Sequence, residues 1–409
     1  MKYVVLFLGL ILVGCTTEPH SPECYQLSRG THLARLYPYG DHLVLSYVDS
    51  RSDGHRLMMA DVGQFPLLLD SVEVSRGDNW FVNWADFPSV VPYHRGSDSA
   101  RFAHWLQYSG RGTYDYDIMV LNQGRRSTVL PAKLHQDTVS AEHGFLSSAQ
   151  LPGGGLQVSW LDGRYTKSGA DAGAGSSKDD HGHGHGGAMT LRTKEVSDSV
   201  SMELDHRVCD CCNTATVATD ELIMVAYRDR SENEIRDIGY VTKATGDGSW
   251  STPQLVHADN WEISGCPVNG PALGSNAGGE VAVAWFTGAQ ERPRIQFARY
   301  DGAVGRFTAP VVLDDQSPLG RVDLQLDDSG TAFVTGLSVD EKSEEVFLSL
   351  WVIAPDDSVA HQKLSPASGA RASGFPRIAL HSDQLYWART VVGETAGGQF
   401  VEVCRQPTE

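Results

Sequence analysis

Residues 205–216 read Asp-His-Arg-Val-Cys-Asp-Cys-Cys-Asn-Thr-Ala-Thr, and about fifty positions later comes Ser264-Gly-Cys266-Pro-Val-Asn269-Gly-Pro. Cys209, Cys211, Cys212 and Cys266 are four of the seven cysteines in the 409-residue chain. Thiols at this density have two chemistries open to them. They can pair as disulfides that staple two loops, or as thiolates they can offer soft ligands to Cu(I) or Zn(II). A bridge between the adjacent Cys211 and Cys212 would be strained, so on the first reading Cys266 pairs with one of the other three. A second metal-type group is Asp179-Asp-His181-Gly-His183-Gly-His185. Its three imidazoles suit zinc, copper or nickel, although a solvated low-complexity insertion would look the same.

Further polar residues fall at the ends of apolar segments. They include Asp86, His104, Glu142 and His143, Arg164, Arg228, Arg230, Asp237, Asn269, Arg294 and Arg321. Arg164, Arg230, Arg294 and Arg321 recur at comparable places, and guanidinium forks that converge would hold a carboxylate bidentately. The alternative for each Arg-Asp neighbour pair is an internal ion pair that stiffens its own loop. His104, His143, Arg228, Asp237, Asn269 and Arg321 are candidate ligand-binding side chains.

The elements that must position these residues are strands. Apolar segments are short, alternate with polar residues and stop at Gly, Asp, Asn or Pro, with no sustained helical stripe. One phrase recurs, an alternating strand carrying an aromatic and followed by a turn and further strands. It begins at Leu43, Arg101, Leu156, Leu222, Val281 and Gln384, with a weaker copy at Thr331. Spacings of about 50 to 67 residues are those of blades in an all-β propeller. Seven copies predict seven blades, or six if the copy at Thr331 or the last one is not a full blade. The ring is expected to close by joining N- and C-terminal strands over residues 24–404, leaving 405–409 as a tail. Cys24 precedes the first strand and Cys404 lies in the last, so a disulfide between them would clamp that closure. Residues 168–187, rich in Gly, Ala and Ser, read as a flexible excursion within the third blade.

The first fourteen residues have Lys2 and an apolar run from Val4 to Val13, too short for a permanent span and of secretory-signal type. Leu12-Val-Gly-Cys15 resembles the bacterial lipobox, which implies that Cys15 is acylated, as with palmitate, at the head of a tether over 15–23. Thr16 rather than Asp after it implies outer-membrane retention. In such an extracytoplasmic compartment disulfides persist. The six remaining cysteines allow fifteen complete pairings, so composition alone cannot assign them. The formal charge of −18 is spread along the chain without a basic stripe, which disfavours nucleic acid and anionic headgroups as partners.

Asn83-Trp-Ala-Asp-Phe-Pro-Ser89, Val208-Cys-Asp-Cys-Cys212, Tyr227-Arg-Asp-Arg-Ser-Glu-Asn-Glu-Ile-Arg-Asp237 and Gly265-Cys-Pro-Val-Asn-Gly-Pro271 together resemble bacterial proteins of the sialidase-like propeller superfamily. The resemblance runs from about residue 30 to 400 and implies an exo-α-sialidase-like glycoside hydrolase. Sialidases carry an arginine triad, a tyrosine nucleophile assisted by glutamate, an aspartate acid/base and Asp-box turns. Carried over, these roles would fall on Arg164, Arg230 and Arg294 as carboxylate clamp and on Asp86 as acid/base. Thr245-Gly-Asp-Gly-Ser-Trp250 and Tyr300-Asp-Gly-Ala-Val-Gly-Arg-Phe307 are only degenerate Asp boxes, and the N-terminal Phe/Tyr-Arg-Ile-Pro phrase is absent. The expected function is thus a membrane-anchored, monomeric propeller that binds, and as an enzyme hydrolyses, an acidic glycan at its channel mouth without a cofactor. The alternatives are a copper- or zinc-binding lipoprotein using Cys209, Cys211, Cys212, Cys266, His181, His183 and His185, and a non-catalytic interaction scaffold.

Overall fold

A computed structural model describes residues 21–63, 65, 69–124, 130–167, 187–246, 248–393 and 397–408. The expected signal, Cys15 and most of the tether lie outside the described residues, as do His181, His183 and His185. Among the described residues no helix is long and apolar enough to cross a membrane.

The strands form seven antiparallel sheets, and each sheet is one blade. The first pairs Thr31–Tyr39, His42–Arg51, Gly54–Asp61 and Leu69–Gly77, and the same inner-to-outer order repeats around the ring. Inner strands of the next five blades are Ser89–Arg95, His143–Gln150, Ala215–Ala218, Ala272–Ser275 and Pro318–Leu326. Every copy of the repeated sequence phrase is the second strand of a blade, including the weaker one, Ala332–Val339. Seven blades are therefore correct and six are not. Second strands are sandwiched between neighbouring blades, which explains their recurring buried aromatics. Trp160, Trp285 and Trp387 are fully buried there. Two of these indoles also satisfy their N–H groups: Trp160 donates to Asp162 at 3.0 Å and Trp285 to Asp259 at 2.8 Å.

The apolar clusters lie between blades, not within them. One joins Leu36, Leu43 and Tyr47 of the first blade to Tyr386, Ala388 and Val403 of the last. Another joins Tyr93 and Phe102 of the second to Leu146 and Trp160 of the third. No blade buries both of its faces alone, so the stability of each depends on the closed ring.

Closure is made by Glu23–Gln26, which pairs antiparallel with Phe400–Pro407 and supplies the outer strand of the seventh blade, beside Gln384–Val391 and Arg377–His381. Cys24 stands directly opposite Cys404 in this register, and the two form a disulfide spanning 380 residues of sequence. Arg405 reinforces the seam by donating to Glu23 at 2.8 and 3.0 Å. A Cys24→Ser, Cys404→Ser variant is expected to unfold at lower denaturant than the parent. The chain-entropy scale for so long a loop is on the order of 5 kcal/mol, an upper bound for the loss. Equal midpoints under non-reducing conditions would show that strand pairing alone holds the ring.

Candidate functional site at the channel mouth

The loops that enter the inner strands, and the turns between second and third strands, share one face of the ring. The registers Thr31 opposite Asp49 and His143 opposite Asp162 show this directly. One of these loops, 82–88, lies across the mouth as a plug. Asn83 shapes it, with Ala85 N–H donating to Asn83 Oδ1 at 2.9 Å. Asn213, on the entry to the fourth blade, donates to Ala85 O at 2.8 Å. The Trp84 ring stacks on Phe375 from the entry to the seventh blade at 5.7 Å, with the Arg321 guanidinium 4.8 Å from its centre. Asp86 Oδ2 accepts Phe145 N–H of the third blade at 2.7 Å. The plug thus ties together loops from four other blades.

Asp86 is buried, and burial pushes its carboxyl up to about 7 against the Phe145 hydrogen bond and the Arg35 charge. Gly144 is required beside it, because a Cβ there would lie 2.0 Å from Asp86 Oδ2. Near it is Glu142, half-buried, which accepts the Tyr116 hydroxyl at 2.6 Å. Burial raises the Glu142 carboxyl to about 8. The Tyr116 hydrogen bond opposes that rise, and the charges of Asp210, Asp86 and Cys266 add to it. The mouth therefore contains two carboxyls that keep protons close to neutrality. Tyr114 at its rim is 51% exposed and feels Glu142, Cys266, Cys211 and Arg371.

The four cysteines stand on the same rim as free thiols, on the adjacent entries to the fourth and fifth blades. Cys209 and Cys212 are buried, Cys211 is half-buried and Cys266 exposed. Sγ of Cys209 lies 3.5 Å from that of Cys212 and 3.8 Å from that of Cys211. Arg236, fully buried, donates from Nη1 to Cys209 Sγ at 3.2 Å. Burial opposes ionisation of Cys209, but the neighbouring thiols and Arg236 bring it well below the usual thiol range. In the sequence Arg236 stands out only as part of the Tyr227–Asp237 phrase.

A second cluster, between the second and third blades, joins His143 and Arg164, both candidates from the sequence, to His135, Asp117, Asp137 and Asp162, which were not. His135 and His143 are buried and stacked with ring centres 3.8 Å apart. Asp117 and Asp137 flank them, with His135 Nδ1 2.6 Å from Asp137 and His143 Nε2 3.3 Å from the same carboxylate. His143 Nδ1 faces the carbonyls of Tyr116 and Ala141 at 3.2 and 3.1 Å. Asp162 lies 3.6 Å from His143 and is held bidentately by Arg164 at 2.7 and 2.7 Å. Burial disfavours the charged His143, yet Asp137 and Asp162 outweigh it and raise the imidazole above its ordinary value.

The expected arginine clamp is not assembled. Arg164 is held by Asp162, and Arg230 pairs with Glu234 at 2.7 Å and Asp210 at 3.3 Å. Arg321 donates to the carbonyls of Gly369, Ala370 and Gly374 at 2.9 to 3.1 Å, and Arg294 buries its Nε without a hydrogen-bond partner. Several expected ligand-binding residues satisfy backbone groups at blade junctions instead. Arg228 donates to Asn269 O, Arg236 O and Phe286 O. Asp237 accepts Asn260 N–H and Trp261 N–H at 2.9 and 3.0 Å, and Asn269 Oδ1 accepts Arg321 N–H at 2.7 Å. His104 is buried beside Ser89 at 3.2 Å and is held neutral by burial.

Fold and site together define a seven-bladed β-propeller whose mouth is crossed by the 82–88 loop and lined by two carboxyls of raised pKa and a cysteine cluster. No protein-family model matches the chain, and no curated protein matches it in sequence. Among solved structures it is similar to the polysaccharide lyase Uly1, at 9% identity over 97% of this chain and 94% of that one, with a TM-score of 0.54. It is also similar to the GH93 α-L-arabinofuranosidase of Fusarium graminearum, at 11% identity over 92% and 93%, with a TM-score of 0.50. The NanB sialidase from Streptococcus pneumoniae aligns more loosely, at 8% identity over 94% and 70%, with a TM-score of 0.44. At these identities the shared property is the propeller fold.

The raised His143 value fixes a pH dependence. Its folded-state pKa lies above the ordinary 6.5, so its stabilisation is complete below that value and is lost as pH rises through the raised one. His143→Gln is expected to destabilise by about 1–3 kcal/mol at about pH 5.5 and by less at about pH 9, measured by denaturant unfolding. A cost independent of pH would mean that the imidazole is neutral in the cluster.

Proposed function

We propose that the protein binds and hydrolyses a glycan at the plugged channel mouth, with Glu142 as proton donor to the leaving oxygen. The observation that carries this reading is the Tyr116–Glu142 hydrogen bond at 2.6 Å beside Asp86, with the glutamate raised to about 8. A carboxylic acid that keeps its proton at neutral pH is what glycoside cleavage requires of its acid. Tyr116 fixes the glutamate by donating to Oε1, which directs the acidic proton to the other oxygen. Tyr116 is itself 1% exposed and acts as a positioning residue, held by stacking on Phe81 at 4.3 Å. Asp86 is buried, holds Phe145 N–H at 2.7 Å and acts on Glu142 through its charge. Once ionised above about 7, its charge helps to keep the Glu142 proton in place. The exposed Tyr114 and Arg371 form the rim, offering an aromatic face and a cation to a carboxylate-bearing sugar. The lyase and arabinofuranosidase that share the fold act on polysaccharide and arabinose-containing substrates, which is compatible with this use of the mouth. Anchoring through acylated Cys15, in the outer membrane of a bacterial envelope, is part of the same proposal.

The test is release of 4-methylumbelliferone from a panel of acidic and neutral aryl glycosides, sialosides first. Activity is expected to fall as pH rises through about 8, where Glu142 loses its proton. Glu142→Gln is expected to lower kcat by roughly 10²–10⁴-fold. Asp86→Asn should move the alkaline limb to lower pH, because the charge that raises Glu142 is gone. Tyr116→Phe should move it the opposite way. A folded protein inert on the whole panel, or a Glu142→Gln variant of full activity, would remove the proposal.

A further inference from the structure

We propose that Cys209, Cys211, Cys212 and Cys266 form a binding site for a thiophilic d10 ion, Zn(II) or Cu(I), on the rim of the channel mouth. The site shares no ligand with the glycan reading, since Glu142 and Tyr116 supply none, although the Cys266 charge acts on Glu142.

Spacing is the first argument. Zinc–thiolate bonds of about 2.3 Å place tetrahedral sulfur ligands roughly 3.8 Å apart. The Sγ separations of 3.5 and 3.8 Å from Cys209 to Cys212 and Cys211 match that edge. All three Sγ atoms lie within 4.8 Å of one another. They are far beyond the roughly 2.05 Å of a disulfide. Adjacent residues seldom aim side chains at a common point, so the convergence of Cys211 and Cys212 needs a local cause. The chain turns sharply here: Cys209 N–H donates to Arg228 O at 2.9 Å, Val208 bridges to Asp229, and a bend follows through Cys212.

The segment that carries the fourth ligand is packed against the first by a contact between the two loops. Gly270 packs so closely on Asn213 that a Cβ would lie 2.0 Å from Asn213 O. Asn213 follows Cys212 and Gly270 lies four residues after Cys266, so this contact fixes one cysteine segment against the other. Cys266 is exposed and stands outside the group of three sulfurs that lie within 4.8 Å of one another, so it would close on the ion as fourth ligand from the solvent side.

Charge is the second argument. Several thiolates around one divalent or monovalent ion leave a net negative charge, which needs an outer cation. Arg236 supplies it, fully buried, with Nη1 3.2 Å from Cys209 Sγ and Nη2 2.7 Å from Glu234. A guanidinium aimed at a sulfur stabilises thiolate over thiol, and thiolate is the form that binds metal. Outer groups of this kind commonly set affinity.

The experiment uses the full chain without an affinity tag, with His181→Gly, His183→Gly and His185→Gly to remove the other imidazole group. Metal content is measured together with a count of alkylatable thiols, and peptide mapping checks that Cys24–Cys404 is intact. Co(II) serves as the zinc probe and Cu(I) is titrated against a chromophoric Cu(I) chelator. The expected result is one equivalent of ion, a thiolate-to-cobalt charge-transfer band and protection of the cluster from alkylation. Cys209→Ser with Cys212→Ser should abolish the band. Arg236→Gln, which keeps every ligand, should weaken binding by about 10–100-fold. Isolation of the four cysteines as two disulfides would overturn the proposal, as would neither ion binding to the reduced protein or a band that survives the double substitution.

Discussion

The arrangement at the mouth rests on one short segment, Asn83 to Phe87, laid across the top of the channel. Ala85, Asp86 and Phe87 are buried, so the polar groups there must find partners in other blades. Ala85 O is taken by Asn213, Asp86 takes Phe145 N–H, and Trp84 is clasped between Phe375 and Arg321. Each bond crosses from one blade to another, so the segment works as a keystone: it fixes the entry loops to each other. Those entry loops carry Glu142, the three clustered cysteines and Arg321. The disulfide-clamped seam between Glu23–Gln26 and Phe400–Pro407 does the same for the ring as a whole.

The keystone also governs electrostatics. It buries Asp86, and the Asp86 charge, once formed, adds to the field that raises Glu142. Asp210 and Cys266 contribute to the same field from the neighbouring rim. An acidic protein that concentrates carboxyls and thiols in one desolvated place must leave some of them neutral or supply cations. It does both. Glu142 keeps its proton to about pH 8 and Asp86 to about 7, whereas Cys209 and Glu234 have Arg236. The sharing of Asp210 and Glu234 with Arg230 links the two halves of the rim.

The fold was largely legible in the sequence because the second strand of each blade is buried on both faces, and burial on both faces imposes an aromatic or β-branched composition. Inner strands were hard to read for the converse reason. Ala215–Ala218 and Ala272–Ser275 are short and made of small residues, since they crowd toward the axis, and their pattern resembles a loop. Cys24 and Cys404 could be paired in advance because a propeller has only one seam. The site was less legible. An arginine beside an aspartate looks the same whether it faces a ligand or its neighbour, and Arg164 and Arg230 turned out to face their neighbours. Tyr116 and Glu142 are 26 residues apart in sequence and meet only because a strand start and an inner-strand entry share one face.

That distinction explains why the arginines and the cysteines read so differently. Arginine satisfies buried carbonyls as readily as it binds ligands. At a blade junction, where carbonyls are abundant, the structural use dominates, and Arg228 and Arg321 have become tie-rods. Thiols are weak hydrogen-bond partners and contribute little to loop geometry when reduced. Asn213 and Gly270 already hold the two loops together without them. Three sulfurs gathered beside a buried guanidinium pack into the wall of the mouth, yet packing alone does not require that they converge. Their placement is better explained by what they would bind.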